Sequence, residues 1–102
     1  MEINIDPRDL AEIKAILMQH LIPSSQVWVF GSRIGDRVKP YSDIDLAIDL
    51  DGKTMPLRLS SQLAHTFEES NISIKVDVVD YNNIDVSFKK IIDSHKVPLR
   101  LF

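Results

Sequence analysis

The sequence predicts an α+β fold in which helices pack on one face of a small mixed β-sheet. Apolar residues recur every three or four positions between Leu10 and Leu21, as on the buried side of a helix. Apolar and polar residues alternate from Asp43 to Leu50, as along a half-buried strand. Two further helical segments and two further strand-like runs give the order α, β, β, α, β, α. This arrangement would leave the other face of the sheet open and acidic.

The first helix is predicted to begin at Asp6, a typical N-cap residue, with Pro7 at the first helical position. Pro23 ends the helical pattern. Residues 27–30 form a short apolar run that stops at Gly31, which is typical of a buried strand. The predicted buried stripe of the helix consists of Leu10, Ile13, Leu17 and Leu21.

In the second half of the chain, Thr54 and Pro56 predict the capped start of another helix. Residues 74–79 are the third predicted strand. Asn82 or Asn83 is expected to cap the last helix, and residues 97–102 can return as an edge segment in which Pro98 is tolerated. The apolar stripes of these two helices are Leu59, Leu63 and Phe67, and then Ile84, Phe88, Ile91 and Ile92.

The composition restricts the class of protein. Its 102 residues suffice for one core, so residues 1–102 are expected to form a single domain. The absence of cysteine excludes disulfide scaffolds, thiol catalysis and zinc-ribbon sites. A net charge of -3 argues against direct binding to nucleic acid. Without a leader pattern or a stretch of ~20 apolar residues, we expect a cytoplasmic protein that does not enter a membrane.

Aspartate is over-represented, since 11 of the 15 acidic residues are Asp although helical surfaces favour Glu. Asp43 and Asp45 stand two residues apart on a predicted strand, so their side chains share one face about 7 Å apart along the backbone. Two such carboxylates repel each other unless a cation lies between them. Mg²⁺ is typically held by one or two carboxylates plus substrate phosphates. The alternative is a merely solvated strand face, but Asp is depleted in strands.

A third carboxylate is expected on the strand at residues 74–79. Asp77 alternates with Val76 and Val78 and therefore faces away from the core. Asp80 has the other phase and lies at the strand exit, where a turn or the approach to a helix explains it. We predict Asp77 as the functional residue, although Val79 on the same face is imperfect support.

The segment between the first two strands has the character of a phosphate-binding loop. Gly31 directly follows a strand, where the missing Cβ lets backbone amides approach a ligand, and Ser32 adds a hydroxyl. Three basic residues against Asp36 alone make this the most basic stretch of the chain, namely Arg33, Arg37 and Lys39. The alternative is an ordinary strand-to-strand turn with solvated charges. The segment is not a Walker loop, because no Gly-Lys-Ser/Thr follows.

Gly31-Ser32, ten intervening residues and Asp43-Ile44-Asp45, with a later Asp in a hydrophobic strand, resemble the polymerase-β-type nucleotidyltransferases. In so short a chain, GSRIGDRVKPYSDIDLAI is similar to the minimal nucleotidyltransferases, which are encoded beside HEPN-domain partners in prokaryotic toxin–antitoxin pairs. The resemblance covers nearly the whole chain. One departure is that Asp36 stands where the family usually has a second glycine, which counts against catalytic competence.

The resemblance implies transfer of a nucleoside monophosphate from an NTP, expected to be ATP, to a hydroxyl, with release of pyrophosphate. The acceptor would belong to a HEPN-type helical protein encoded nearby, with this chain as antitoxin in a hetero-oligomer. Two Mg²⁺ ions with bound NTP would be the cofactors. The implied catalytic and metal-binding residues are Asp43, Asp45 and Asp77, with Asp77 also helping to deprotonate the acceptor. The implied nucleotide-binding residues are Gly31, Ser32, Arg33 and Ser42.

Two other functions stay open. The chain could be a binding module that neutralises its partner by complex formation and keeps a weak nucleotide pocket, as Asp36 and the small size suggest. It could instead be the catalytic subunit of a nucleotidyltransferase for a small-molecule hydroxyl, with specificity supplied by a helical partner.

Overall fold

A four-stranded sheet with helices on both faces organises the part of the chain that a computed structural model describes, residues 3–31 and 43–102. The predicted order of elements is confirmed. In chain order the elements are α1 (Pro7–His20), β1 (Gln26–Phe30), β2 (Ile44–Asp49), α2 (Leu57–Glu68), β3 (Val76–Asp80), a 3₁₀ turn (Tyr81–Asn83), α3 (Val86–His95) and β4 (Val97–Pro98).

The sheet is mixed, with the strand order β3-β2-β1-β4. β1 pairs antiparallel with both β2 and β4, whereas β2 and β3 are parallel. Parallel neighbours need a crossover connection, and α2 supplies it. The short β4 pairs Val97 with Val29 and Pro98 with Trp28, which confirms that the tail returns to the sheet edge. These features confirm the α+β class.

The larger core lies between one face of the sheet and the helices α1 and α2. Leu17 of α1, Leu63 of α2 and Leu46 of β2 are fully buried there. Burying an aliphatic side chain of this size stabilises the fold by about 1.5–3 kcal/mol relative to leaving it exposed. This core confirms the two amphipathic stripes and the alternation along β2.

The opposite face of the sheet is partly covered by α3. Phe30 and Ala47 form a second buried cluster with Ile92 of α3. These two strand residues alternate with Val29 and Leu46 of the larger core, so they point to the other side of the sheet. The prediction that the helices pack on one face is therefore wrong for α3.

Apolar side chains on that second face explain why α3 docks there. Trp28, Phe30 and Val79 all contribute to the cluster around Ile92. Leaving them in water would forfeit about 25 cal/mol per Å² of apolar surface. The acidic side chains of this face lie at its two ends, Asp45 and Asp77 at one and Asp49 at the other, because Ala47 and Val79 between them pack under α3.

The starts of α1 and α2 differ in how they are capped. Asp6 accepts a hydrogen bond from the Arg8 N–H at 2.8 Å, as predicted for an N-cap. Pro56 precedes α2 and makes no side-chain capping bond. The predicted position of this helix is confirmed, but a capping side chain is not.

The start of α3 corrects the sequence prediction. Its N-cap is Asp85, which accepts from the Phe88 N–H at 2.7 Å. Asn82 and Asn83 do not cap it because Tyr81–Asn83 form the 3₁₀ turn. Of the two adjacent isoleucines, Ile92 is buried and Ile91 is 63% exposed.

Asp9 ties α1 to the connection between α2 and β3. It is buried, and it accepts hydrogen bonds from the N–H and the hydroxyl of Ser73. This contact holds the chain just before β3 begins.

Among the described residues, no helix combines the length and the apolar character needed to cross a bilayer.

Candidate active site

The register of the parallel pair β2–β3 brings two of the predicted carboxylates side by side. Asp45 of β2 is the register partner of Asp77 of β3. Asp43 lies two residues before Asp45, at the entry to β2, and both are half-buried. All three therefore lie at one end of the sheet, on the face that α1 and α2 do not cover.

Gly31 lies beside this cluster, because it directly follows Phe30, the β1 partner of Asp45. Its φ of +80° lies in the left-handed region, which strains any residue with a Cβ. A Cβ at this position would collide with the carboxylate of Asp45. The glycine thus leaves room for the side chain of Asp45 itself, a contact that the sequence did not predict.

The cluster carries an excess of negative charge. Burial raises the pKa of Asp45 above its ordinary value, and the neighbouring charges of Asp77 and Asp43 raise it further. Lys75 offsets part of this charge, with its ammonium 3.5 Å from the carboxylate of Asp77. Lys75 is mostly exposed, so this ion pair is weak.

This charge distribution fits a divalent cation bound together with a nucleotide. Within residues 3–31 and 43–102, no three carboxylate or imidazole side chains converge closely enough to hold a metal ion by themselves. Mg²⁺ does not require that, because it commonly takes one or two carboxylates and completes its shell with waters and phosphates. Asp43 and Asp45 offer such oxygen ligands, and the neighbouring negative charges that contribute to the raised pKa of Asp45 would favour a cation here.

Asp80 and Asp49 have structural partners. Asp80 accepts hydrogen bonds from the backbone N–H of Met55 at 2.7 Å and of Asn82 at 3.2 Å. Asp49 accepts from the Gly52 N–H at 2.8 Å and the Asn82 amide at 2.7 Å. Both therefore hold turns at the other end of β2 and β3, as predicted for Asp80.

The remaining predicted site residues lie outside the described residues. They are Ser32, Arg33 and Ser42, together with Asp36. Their assignment to nucleotide binding stays a prediction from the sequence.

Two contacts near the carboxylates were not predicted. Strand alternation places Lys75 on the face of Asp77, as expected from the sequence, but not the ion pair that the two form. Phe88 of α3 packs edge-to-face on Phe30, with ring centroids 6.0 Å apart. Its proximity to the site depends on the docking of α3, for which the sequence has no local signal.

Comparison with known proteins gives a consistent result. The family described as Polymerase beta, Nucleotidyltransferase matches residues 11–99. The Haemophilus influenzae (strain ATCC 51907 / DSM 11121 / KW20 / Rd) protein described as "Probable protein adenylyltransferase MntA" is 36% identical over 91 residues, covering 89% of this chain and 78% of the relative.

Two crystal structures share the fold. A toxin–antitoxin with AMP-PNP has a TM-score of 0.73 at 22% identity, covering 91% of this chain and 73% of that chain. The toxin–antitoxin MntA-HepT has a TM-score of 0.61 at 20% identity, covering 95% of this chain and 74% of that chain.

Proposed function

This chain belongs to the polymerase-β nucleotidyltransferase family, among the MntA-type minimal nucleotidyltransferases, and from that premise we propose that it transfers AMP from ATP to a protein hydroxyl. The acceptor is a HEPN-type toxin encoded beside it, and this chain acts in the cytoplasm as the antitoxin. The observation that carries the proposal is the side-by-side placement of Asp45 and Asp77, with Asp43 two residues away.

Each carboxylate has its own part in the reaction. Asp43 and Asp45 would hold Mg²⁺ together with the triphosphate, and Asp77 would complete the metal site once phosphates and waters supply the remaining ligands. When bound, the metal stabilises the attacking and leaving oxygens of an in-line displacement. Asp77 accepts the proton of the acceptor hydroxyl, which forms a bond to the α-phosphorus. The bond from that phosphorus to the β-phosphate oxygen breaks, and pyrophosphate leaves.

The nucleotide is held by the segment that follows β1. Gly31 starts this segment beside Asp45, so the phosphates approach the carboxylates from that side. Ser32, Arg33 and Ser42 bind the phosphates in this proposal. The hydroxyl and the guanidinium donate hydrogen bonds to phosphate oxygens, and the positive charge of Arg33 favours an anion.

A labelling experiment tests the proposal. The chain is incubated with Mg²⁺, ATP labelled at the α-phosphate and the HEPN-type protein encoded beside it. We expect label on that protein with the wild-type chain, and a loss of at least about 100-fold with Asp45→Asn or Asp77→Asn, because the site loses a charged ligand for the Mg²⁺ that would stabilise the developing negative charge. Asp51→Asn is the matched control, since Asp51 is an exposed turn residue with a positive φ that Asn tolerates.

The same variants separate catalysis from neutralisation by binding. If the toxin is neutralised by AMP transfer, Asp45→Asn loses neutralisation even where the complex still forms. Neutralisation that survives Asp45→Asn would favour the binding module. Absence of label with every NTP and with the wild-type chain would refute the enzymatic proposal.

A further inference from the structure

A groove of about 750 Å³ runs along the open edge of the sheet, between α2 and β3. Ala64 and Phe67 contribute to its α2 wall, and Val76 and Val78 contribute to its β3 wall. Asp77 lines the same groove. The groove therefore reaches Asp77, the residue that accepts the proton of the acceptor hydroxyl in the proposed function.

The β3 side of the groove offers backbone hydrogen-bonding groups. β3 is the outermost strand on this side of the sheet in the described part of the chain. The Lys75 carbonyl accepts from the Ile44 N–H at 2.9 Å, so the backbone N–H and C=O groups of Lys75 face β2. Alternate residues direct these groups to opposite edges, and those of Val76 and Val78 therefore point outward. Such an edge is a template for a further strand.

The chemistry of the groove favours a polypeptide over a nucleic acid. Its walls combine apolar residues, such as Phe67, Ile74 and Val76, with polar ones such as Ser60 and Ser73. Two carboxylates, Glu68 and Asp77, line it against one cation, Lys75, so the charged side chains of the groove are negative on balance and would repel a phosphate backbone. Apolar side chains beside outward-pointing backbone N–H and C=O groups are the features that bind an extended peptide by strand addition.

We propose that the acceptor protein binds here as an extended segment that adds to β3 and carries its hydroxyl to Asp77. This inference rests on the proposed function. The acceptor residue opposite Asp77 shares its sheet face, and the residues before and after it turn towards the apolar wall. The acceptor sequence is therefore a hydroxyl side chain between two apolar residues.

A charged substitution in the groove tests this site. Ala64→Arg places a long cation against the path of the segment, whereas His65→Arg adds the same residue to an exposed position of α2 outside the groove. We expect Ala64→Arg to raise the KM for the HEPN-type acceptor at least tenfold, while AMP-PNP binds with unchanged Kd. His65→Arg should label the acceptor with the wild-type KM.

The outcomes separate the two proposals. A wild-type chain that labels no acceptor overturns the proposed function and the groove assignment with it. A labelling wild-type chain whose KM is unchanged in Ala64→Arg overturns the groove assignment alone.

Amide hydrogen exchange tests the strand pairing without any substitution. In the complex of both proteins with Mg²⁺ and AMP-PNP, the N–H groups of Val76 and Val78 should exchange at least tenfold more slowly than in the free chain. A helix or loop of the acceptor lying in the groove would leave these two amides unprotected. Unchanged exchange in a complex that is competent for labelling therefore overturns strand addition.

Discussion

At Gly31 a single hydrogen atom in place of a methyl group decides whether the carboxylate of Asp45 has room. The backbone there is left-handed, and a Cβ would overlap that carboxylate. Gly52 has the same φ of +80°, but a Cβ there would meet nothing within 4 Å. The two glycines therefore separate backbone strain from displacement of the Asp45 side chain.

Gly31→Ala and Gly52→Ala should each cost about 1–2 kcal/mol of stability, because both place a Cβ in the left-handed region. Only Gly31→Ala should also reduce AMP transfer strongly, since it displaces Asp45. Urea denaturation and the labelling assay measure the two effects. Equal activities in both variants would show that the contact with Asp45 has no catalytic consequence.

Asp45 should make folding less favourable as the pH rises. Its raised pKa means that the folded chain holds this proton more tightly than the unfolded chain does. Stability therefore falls from the ordinary pKa of an aspartate upwards, and the full penalty applies above the raised pKa. Below the ordinary value both states are protonated and the penalty is absent.

Asp45→Asn should accordingly stabilise the protein at neutral pH and abolish AMP transfer. The gain in the free energy of unfolding should shrink as the pH falls from about 8 to about 3, where Asp45 is protonated in both states. Denaturation of both forms across this range measures the difference. A gain that is constant with pH would contradict the electrostatic explanation.

Strand phase is sufficient to predict which aspartates share a face. It favours Asp77 over Asp80 as the third carboxylate of the site. The structure places Asp77 opposite Asp45, whereas Asp80 accepts hydrogen bonds in a turn. The contact between Gly31 and Asp45 is out of reach of the sequence, because it depends on the register of β1 against β2. No local pattern specifies that register across the 12 residues between Phe30 and Asp43.

At the scale of elements, α3 is where the sequence and the structure diverge. The apolar pattern of residues 84–92 predicts a helix buried on one side, but not which sheet face receives it. Because Ile91 and Ile92 are adjacent, the pattern also does not decide which of the two is buried. The face is decided by Phe30 and Val79, whose side chains require cover on the second face.

Ile92→Ala should destabilise the protein by about 2–5 kcal/mol, because it leaves a cavity in a fully buried cluster. Ile91→Ala is the matched control, and it should change stability by no more than about 0.5 kcal/mol, since Ile91 is exposed. Thermal or urea denaturation distinguishes them. Similar losses for both variants would mean that α3 does not dock through Ile92.

At the scale of the whole molecule, the net charge of -3 describes a chain without its ligands. Part of that charge is concentrated at one end of the sheet, in Asp43, Asp45 and Asp77. Folding has to hold these carboxylates together against their repulsion. A cation and a nucleotide that bind only the folded chain reverse this effect.

Mg²⁺ with AMP-PNP should therefore raise the Tm of the wild-type chain. At 100 times the Kd, binding to the folded state alone adds about 2.7 kcal/mol, which corresponds to an increase of roughly 11–22 °C for a chain of this size. Asp45→Asn should lose most of this increase, and Asp51→Asn should keep it. Differential scanning calorimetry measures the Tm of all three forms. An increase in Asp45→Asn equal to that of the wild-type chain would show that Asp45 does not bind the metal.

The parallel register of β2 and β3 also limits which changes of chain length the molecule can accept. Removing Val76 from β3 would turn Asp77 towards the core and bring Val78 to the face of Asp45, so the site and the packing would fail together. Extra residues in the exposed turn at Asp51 and Gly52 would shift neither strand. Length variation among relatives is therefore expected in that turn and not within Val76–Asp80.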